Sequence, residues 1–252
     1  MPFCSAPESD TQALGASQLG TSDLSTPEPA AVYWLLAGDS TTAPAGGWGD
    51  AFLSTTVAPA SSGHNWAKSG ATTKSFREDG NWNRVLEGIA QYKQDYQVYV
   101  TIQFGHNDQK SSSEVNLTQY ATNLGAMAEE ATQAGATPIL VTSLTRRTFS
   151  CGKVIENLAN ETVVTLQVAT AGSYHAIDLN EASTEYVNAI GQAAANQYNL
   201  MPNDQTHLND YGGVVFSRIV SDLLVAGYPA EFQAVTVANA TLSATIKAGQ
   251  PA

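Results

Sequence analysis

The sequence predicts a three-layer α/β/α domain on a central parallel sheet. Three observations carry that prediction. Apolar runs of strand length recur at Val32 to Ala37, Val98 to Phe104, Thr137 to Thr142 and Tyr174 to Asp178. Segments of helix length, with apolar residues at helical spacing, lie between them. The runs themselves are near-continuous in apolar residues, the mark of strands buried on both faces and joined by crossover helices.

Taken in order, residues 1–30 are acidic and rich in Ser, Thr, Pro, Ala and Gly without a sustained period, which reads as a flexible leader. Met1 to Asp10 has neither a basic nor an apolar signal region, so a signal peptide is expected to be absent from this chain. The domain proper is expected to run from 31 to 228. Its first strand is Val32 to Ala37, and a shorter run at Asn65 to Lys68 reads as another. Trp82, Val85, Leu86 and Ile89 then share a helical face, as do Leu117, Tyr120, Leu124 and Met127, and later Ile155, Leu158 and Thr162. A final helix starts at Asn209, a good N-cap, carries Val214, Val215, Ile219, Leu223 and Leu224 inward, and ends at Gly227. Residues 229–252 form a C-terminal extension, either an added strand or a draped tail.

Composition excludes several function classes. Lys and Arg number 11 against 23 Asp and Glu, a net charge of −12, and no basic residue precedes Lys68. Nucleic-acid affinity rests on cationic contacts to phosphate, so neither a nucleic acid nor an anionic membrane surface is an expected partner. No apolar run is long enough to span a bilayer. Only 13% of residues are charged, against roughly 25% in an average chain. Such a surface is common outside cells, and an extracellular protein is expected. Asn116, Asn160 and Asn239 each open an Asn-x-Thr sequon, a glycosylation acceptor in a eukaryotic secretory route. Cys4 and Cys151 either form one bridge or stand as two thiols.

In an open α/β sheet, ligands collect at the carboxyl ends of the strands. The first strand runs into Gly38-Asp39-Ser40-Thr41-Thr42, which makes Ser40 a candidate nucleophile. A nucleophilic serine needs a base, and the base a carboxylate to orient it. His207, three residues after Asp204 and just before the final helix, is favoured over its rival His106 in Gly105-His106-Asn107-Asp108. His175 reads as structural and His64 as chemically idle. Asn107, after a strand, and Gly70, in a loop where a glycine lets backbone N–H approach a ligand, are candidate donors to a developing oxyanion. No two histidines have metal-ligand spacing and no Cys/His cluster occurs, so neither metal nor cofactor is expected.

As a set, Gly38-Asp39-Ser40, the Asn65 to Thr73 segment with Gly70, Gly105-His106-Asn107-Asp108 and Asp204-Gln205-Thr206-His207 resemble, in order, the four motif blocks of the GDSL or SGNH hydrolase superfamily. The resemblance covers roughly Val32 to Tyr228. It implies a flavodoxin-like three-layer fold and a triad of Ser40, His207 and Asp204. It also implies an oxyanion hole from the Ser40 and Gly70 N–H groups and the Asn107 side chain, and it demotes His106. Gly47-Trp48-Gly49, Arg77-Glu78-Asp79-Gly80 and Phe104 to Asp108 further resemble the rhamnogalacturonan acetylesterase group of carbohydrate esterases. That implies an enzyme that deacetylates a plant cell-wall polysaccharide, pectic or xylan, and separately a monomer is expected. A broader short-chain esterase, lipase or thioesterase and a non-catalytic carbohydrate-binding relative are the alternatives.

Arg146 and Arg147 follow a strand on the same sheet edge and are candidate clamps for a galacturonate carboxylate, with a structural salt bridge as the competing reading. Trp48, Trp66 and Phe76 are candidates to stack on sugar rings, whereas Trp82 is expected to face the core.

Overall fold

The computed structural model describes residues 31–252; the leader at 1–30 and Cys4 lie outside the described residues. Five strands form one sheet in the order β2-β1-β3-β4-β7, every pairing parallel: β1 (Val32–Gly38), β2 (Ser62–Asn65), β3 (Gln97–Gln103), β4 (Thr137–Val141) and β7 (His175–Ile177). Between β4 and β7, β5 (Phe149–Ser150) and β6 (Lys153–Val154) make a small antiparallel hairpin, with exposed Cys151 in its turn.

Both faces of the sheet are covered. Tyr33, Leu35 and Ala37 of β1 alternate with Val32, Trp34 and Leu36 and enter two separate cores, as period-two side-chain geometry requires. The first core packs under α3 (Asn81–Tyr92) and α4 (Leu117–Ala134), with α5 (Ala159–Gly172) alongside α4. The second packs under α1 (Gly49–Thr55), α6 (Leu179–Ala195) and α7 (Asp210–Gly227). A short α2 (Thr73–Glu78) follows the β2 loop, with Thr72 and Ser75 forming a reciprocal capping box. The three-layer α/β/α architecture is therefore as expected. Among the described residues no helix is long and apolar enough to cross a membrane.

The differences are local and have physical causes. The second strand lies at Ser62–Asn65, three residues earlier than expected, because an edge strand with exposed Ser62 and His64 carries no apolar signal. Beyond it Trp66 and Lys68 still donate to the Leu36 and Gly38 carbonyls at 2.8 and 2.9 Å, so the apolar run continues the ladder irregularly. Ile155 precedes α5 rather than facing inward from it and is 43% exposed. Helix α6 has no clear counterpart in the apolar pattern of the sequence: its buried residues include Ser183 and Thr184, which blur the apolar stripe. Asn209 caps α7 by accepting from the Gly212 N–H at 2.8 Å, and α7 ends at Gly227 as expected. The C-terminal extension forms α8 (Pro229–Phe232) and α9 (Ala240–Lys247) rather than an added strand of the sheet; Phe232 is buried, and Leu242 and Ile246 pack on the α6–α7 core.

Candidate active site

At the carboxyl end of β1 the chain leaves the sheet through Gly38, where a Cβ would stand 2.6 Å from Thr42 Oγ1 and 2.8 Å from the Gln103 carbonyl. Only glycine fits that approach. Asp39 then pins the turn: its buried Oδ1 accepts from the Thr41 N–H and the Thr41 hydroxyl, both at 2.8 Å. Burial pushes the Asp39 carboxyl above the usual carboxylate range, against the lowering effect of the Thr41 bonds. Gln103, at the end of β3, braces the same turn. Its oxygen accepts from the Thr42 hydroxyl and, at 2.8 Å, from Trp48 Nε1, while its amide donates to Thr41 Oγ1 at 3.1 Å. Asn65 ties β2 into the cluster by donating to the Thr42 carbonyl at 2.8 Å.

Ser40 stands at the apex of this braced turn. Its Oγ lies 2.8 Å from His207 Nε2, across 167 residues of sequence. On the other side of the ring, Nδ1 lies 2.9 Å from Asp204 Oδ2 and 3.2 Å from Oδ1. Asp204 Oδ1 also accepts from the Thr206 and His207 N–H groups, at 3.1 and 3.0 Å. Although desolvation pushes the Asp204 carboxyl up, these bonds to His207 and Thr206 outweigh it and hold the group below its usual range. An ionised Asp204 keeps the proton on Nδ1 and leaves Nε2 free to accept from Ser40.

Gly70 adopts φ 82°, with nothing within 4 Å of where a Cβ would stand. Asn107, 7% exposed, donates through Nδ2 to the carbonyl of the adjacent Ala71 at 3.0 Å, which places the β3 loop beside the Gly70 loop. The neighbouring Asp108 is buried; its Oδ1 takes the Thr73 N–H and hydroxyl at 2.8 and 2.6 Å, locking α2 to the β3 loop.

His106 does not join this group. It is buried, its Nε2 donates to the Leu144 carbonyl at 2.8 Å, and burial, with Arg146 next, pulls its pKa down to about 3. A neutral imidazole pointed at a backbone carbonyl is a structural element. His175, likewise, contacts Glu231 at 2.9 Å, and His64 packs on Trp66 at the sheet edge.

The two arginines separate. Arg147 is fully buried, so the expectation that it clamps a substrate carboxylate is corrected: Nε donates to Asn199 Oδ1 at 2.7 Å and Nη2 to the His207 carbonyl at 2.6 Å. Its backbone N–H also donates to Gln205 at 2.8 Å, so this residue holds the loop that carries Asp204 and His207. Arg146 is partly buried and donates to the His106 carbonyl at 3.3 Å; with the Gln109 amide turned to face it, Gln109 accepts from Nη1 at 2.8 Å. Trp48 and Phe76 are wholly buried, which removes them as sugar-stacking surfaces, and Trp82 faces the core as expected. Trp66 is partly exposed, with Arg84 over its ring at 5.7 Å. The sequon asparagines are exposed; Asn116 and Asn239 cap α4 and α9 through their side chains.

A serine, a histidine and a carboxylate stand in hydrogen-bonded series at the carboxyl edge of a parallel sheet, an arrangement with the chemistry to activate a serine hydroxyl toward a carbonyl. The chain belongs to the GDSL-like lipase/acylhydrolase family, whose model matches residues 36–213. It is 32% identical over 211 residues, 75% of this chain and 87% of the other, to the rhamnogalacturonan acetylesterase RhgT of Bacillus subtilis (strain 168). Among solved structures it resembles protein YxiM of Bacillus subtilis, with TM-score 0.69 and 23% identity; the match covers 81% of this chain but only 58% of that one. Axe2, an acetylxylan esterase from Geobacillus stearothermophilus, shares the fold at TM-score 0.56 and 19% identity, over 79% of this chain and 94% of that one.

Proposed function

We propose that this protein is a serine esterase that removes acetyl groups from a plant cell-wall polysaccharide through an acyl-enzyme. The observation that carries the reading is the continuous Ser40–His207–Asp204 series, at 2.8 and 2.9 Å. His207 Nε2 takes the Ser40 proton as Oγ attacks the acetyl carbonyl carbon. The tetrahedral oxyanion is met by the Ser40 and Gly70 N–H groups and by the Asn107 amide. As the intermediate collapses, His207 returns the proton to the departing sugar oxygen. Water, deprotonated by His207, then attacks the acetyl-Ser40 carbonyl; as the bond from the carbonyl carbon to Oγ breaks, His207 returns the proton to Ser40 and acetate leaves.

The similarity to RhgT supports a pectic, rhamnogalacturonan-type substrate over xylan. Exposed Lys68 and Ser69 beside Gly70 give a polar approach that suits a short acyl group on a sugar better than a long acyl chain. A polymer of that kind is met outside the cell, and the reading carries an extracellular location with it.

The test is acetate release from acetylated rhamnogalacturonan and acetylated xylan in parallel, with Ser40→Ala as control and a fluorophosphonate as probe. Ser40→Ala is expected to lower turnover by at least ~10⁴-fold and to abolish labelling, with melting nearly unchanged. Retained turnover in Ser40→Ala overturns the nucleophile, and release from xylan alone overturns the pectic substrate.

A further inference from the structure

The Asn107 side chain has one carbonyl oxygen and two amide N–H groups. Lys110 Nζ donates to Oδ1 at 2.7 Å, while Nδ2 gives one N–H to the Ala71 carbonyl at 3.0 Å. A lysine only donates and a backbone carbonyl only accepts, so both contacts impose one orientation. A flipped amide would lose both bonds and set its N–H groups against a cation. The backbone adds a third tie, the Lys110 N–H to the Asn107 carbonyl at 3.1 Å, which closes the turn.

Lys110 is an exposed residue in a chain with an excess of acids, yet among the described residues it forms no salt bridge; its ammonium goes to a neutral amide. A cation on the amide oxygen draws electron density toward that oxygen and makes the remaining N–H a stronger donor to a developing negative charge. We infer that Lys110 is a positioning residue for the Asn107 amide, fixing its orientation and strengthening its free N–H toward the transition-state oxyanion. The inference rests on the serine-esterase reading of the site and adds a residue to it.

Steady-state kinetics on 4-nitrophenyl acetate, a neutral ester, test this with wild type, Lys110→Met, Lys110→Arg, Asn107→Ala and the Lys110→Met/Asn107→Ala pair. Lys110→Met is expected to lower kcat about tenfold with KM within about twofold and melting unchanged, and Lys110→Arg to recover most of the loss. In the Asn107→Ala background, Lys110→Met is expected to add nothing, because its effect passes through the missing amide. Wild-type kcat in Lys110→Met, or an additive loss in the double variant, overturns the inference. So does a defect confined to KM for an acetylated oligogalacturonate, which would make Lys110 a ligand for the substrate carboxylate. A wild-type protein that neither cleaves the ester nor takes a fluorophosphonate label overturns the esterase reading itself, an outcome distinct from an active enzyme indifferent to Lys110.

Discussion

Ser40 reaches a bonding distance of 2.8 Å to His207 because the turn beneath it is held by buried polar side chains. Asp39, Gln103 and Asp108 are all fully or nearly fully buried, and each spends hydrogen bonds on Thr41, Thr42 or Thr73. His106 adds a titratable group to the same region. Its pKa falls from 6.5 to about 3 on folding, so the unfolded chain binds this proton more readily in between. The stabilisation from keeping His106 neutral is present above about pH 6.5 and is lost as pH falls toward about 3. Asp39 and Asp108 act in the opposite sense: their raised folded values favour the fold in acid and cost stability as pH rises through them. The His106 contribution is isolated by comparison. Urea unfolding of His106→Gln between about pH 7 and about pH 4 is expected to lose stability less steeply than wild type. Parallel slopes would mean that His106 is not held neutral by the fold.

At the scale of elements, the carboxyl edge of the sheet is an assembly of four loops, and Arg147 shows how they are held in register. It follows β4, yet its guanidinium bonds Asn199 and the carbonyl of His207. Burial pulls its pKa down to about 10, which leaves it cationic at neutral pH, close to Asp204. Arg147→Met leaves the buried Asn199 Oδ1 without its donor and removes one of the two donors to the His207 carbonyl, which keeps the Leu200 N–H, and is expected to cost about 2 kcal/mol in urea unfolding. Arg147→Lys keeps the charge but cannot present two donors in a fixed fork, so it is expected to lower kcat about tenfold as His207 loses its seat. Wild-type stability and kcat in both variants would show that the loop stands without this brace. From the sequence, two adjacent arginines after a strand read either as a carboxylate clamp or as structure. Exposure decides between them, and exposure is a property of the packed elements.

Across the whole molecule, the net charge of −12 sets a long-range repulsion against an acidic polymer. Raising ionic strength from about 10 mM to about 150 mM shortens the screening length from ~30 to ~8 Å. KM for acetylated rhamnogalacturonan is expected to fall severalfold over that range, while KM for 4-nitrophenyl acetate stays level. A KM that rises with salt for the polymer alone would show that local cations outweigh the global charge.

The central strands of the sheet, the principal crossover helices and the residues of the four motif blocks are legible in the chain, because those are written in local patterns. Apolar runs mark doubly buried strands, Asn209 caps α7 through its own neighbours, and the Gly38-Asp39-Ser40 and Asp204-Gln205-Thr206-His207 segments are contiguous in the chain. What stayed hidden was either weakly patterned or long-range. Polar residues erase the period in helix α6 and displace the expected bounds of the edge strand β2 by three residues. Gln103 is one more polar residue at a strand end until Thr42 and Trp48 are seen to converge on it. It takes the packed fold to bury Arg147, to spend His106 on Leu144 and to set Lys110 against the Asn107 amide. In each case the deciding quantity is which partner a flexible polar side chain meets and how much water it loses, which one-dimensional spacing does not encode.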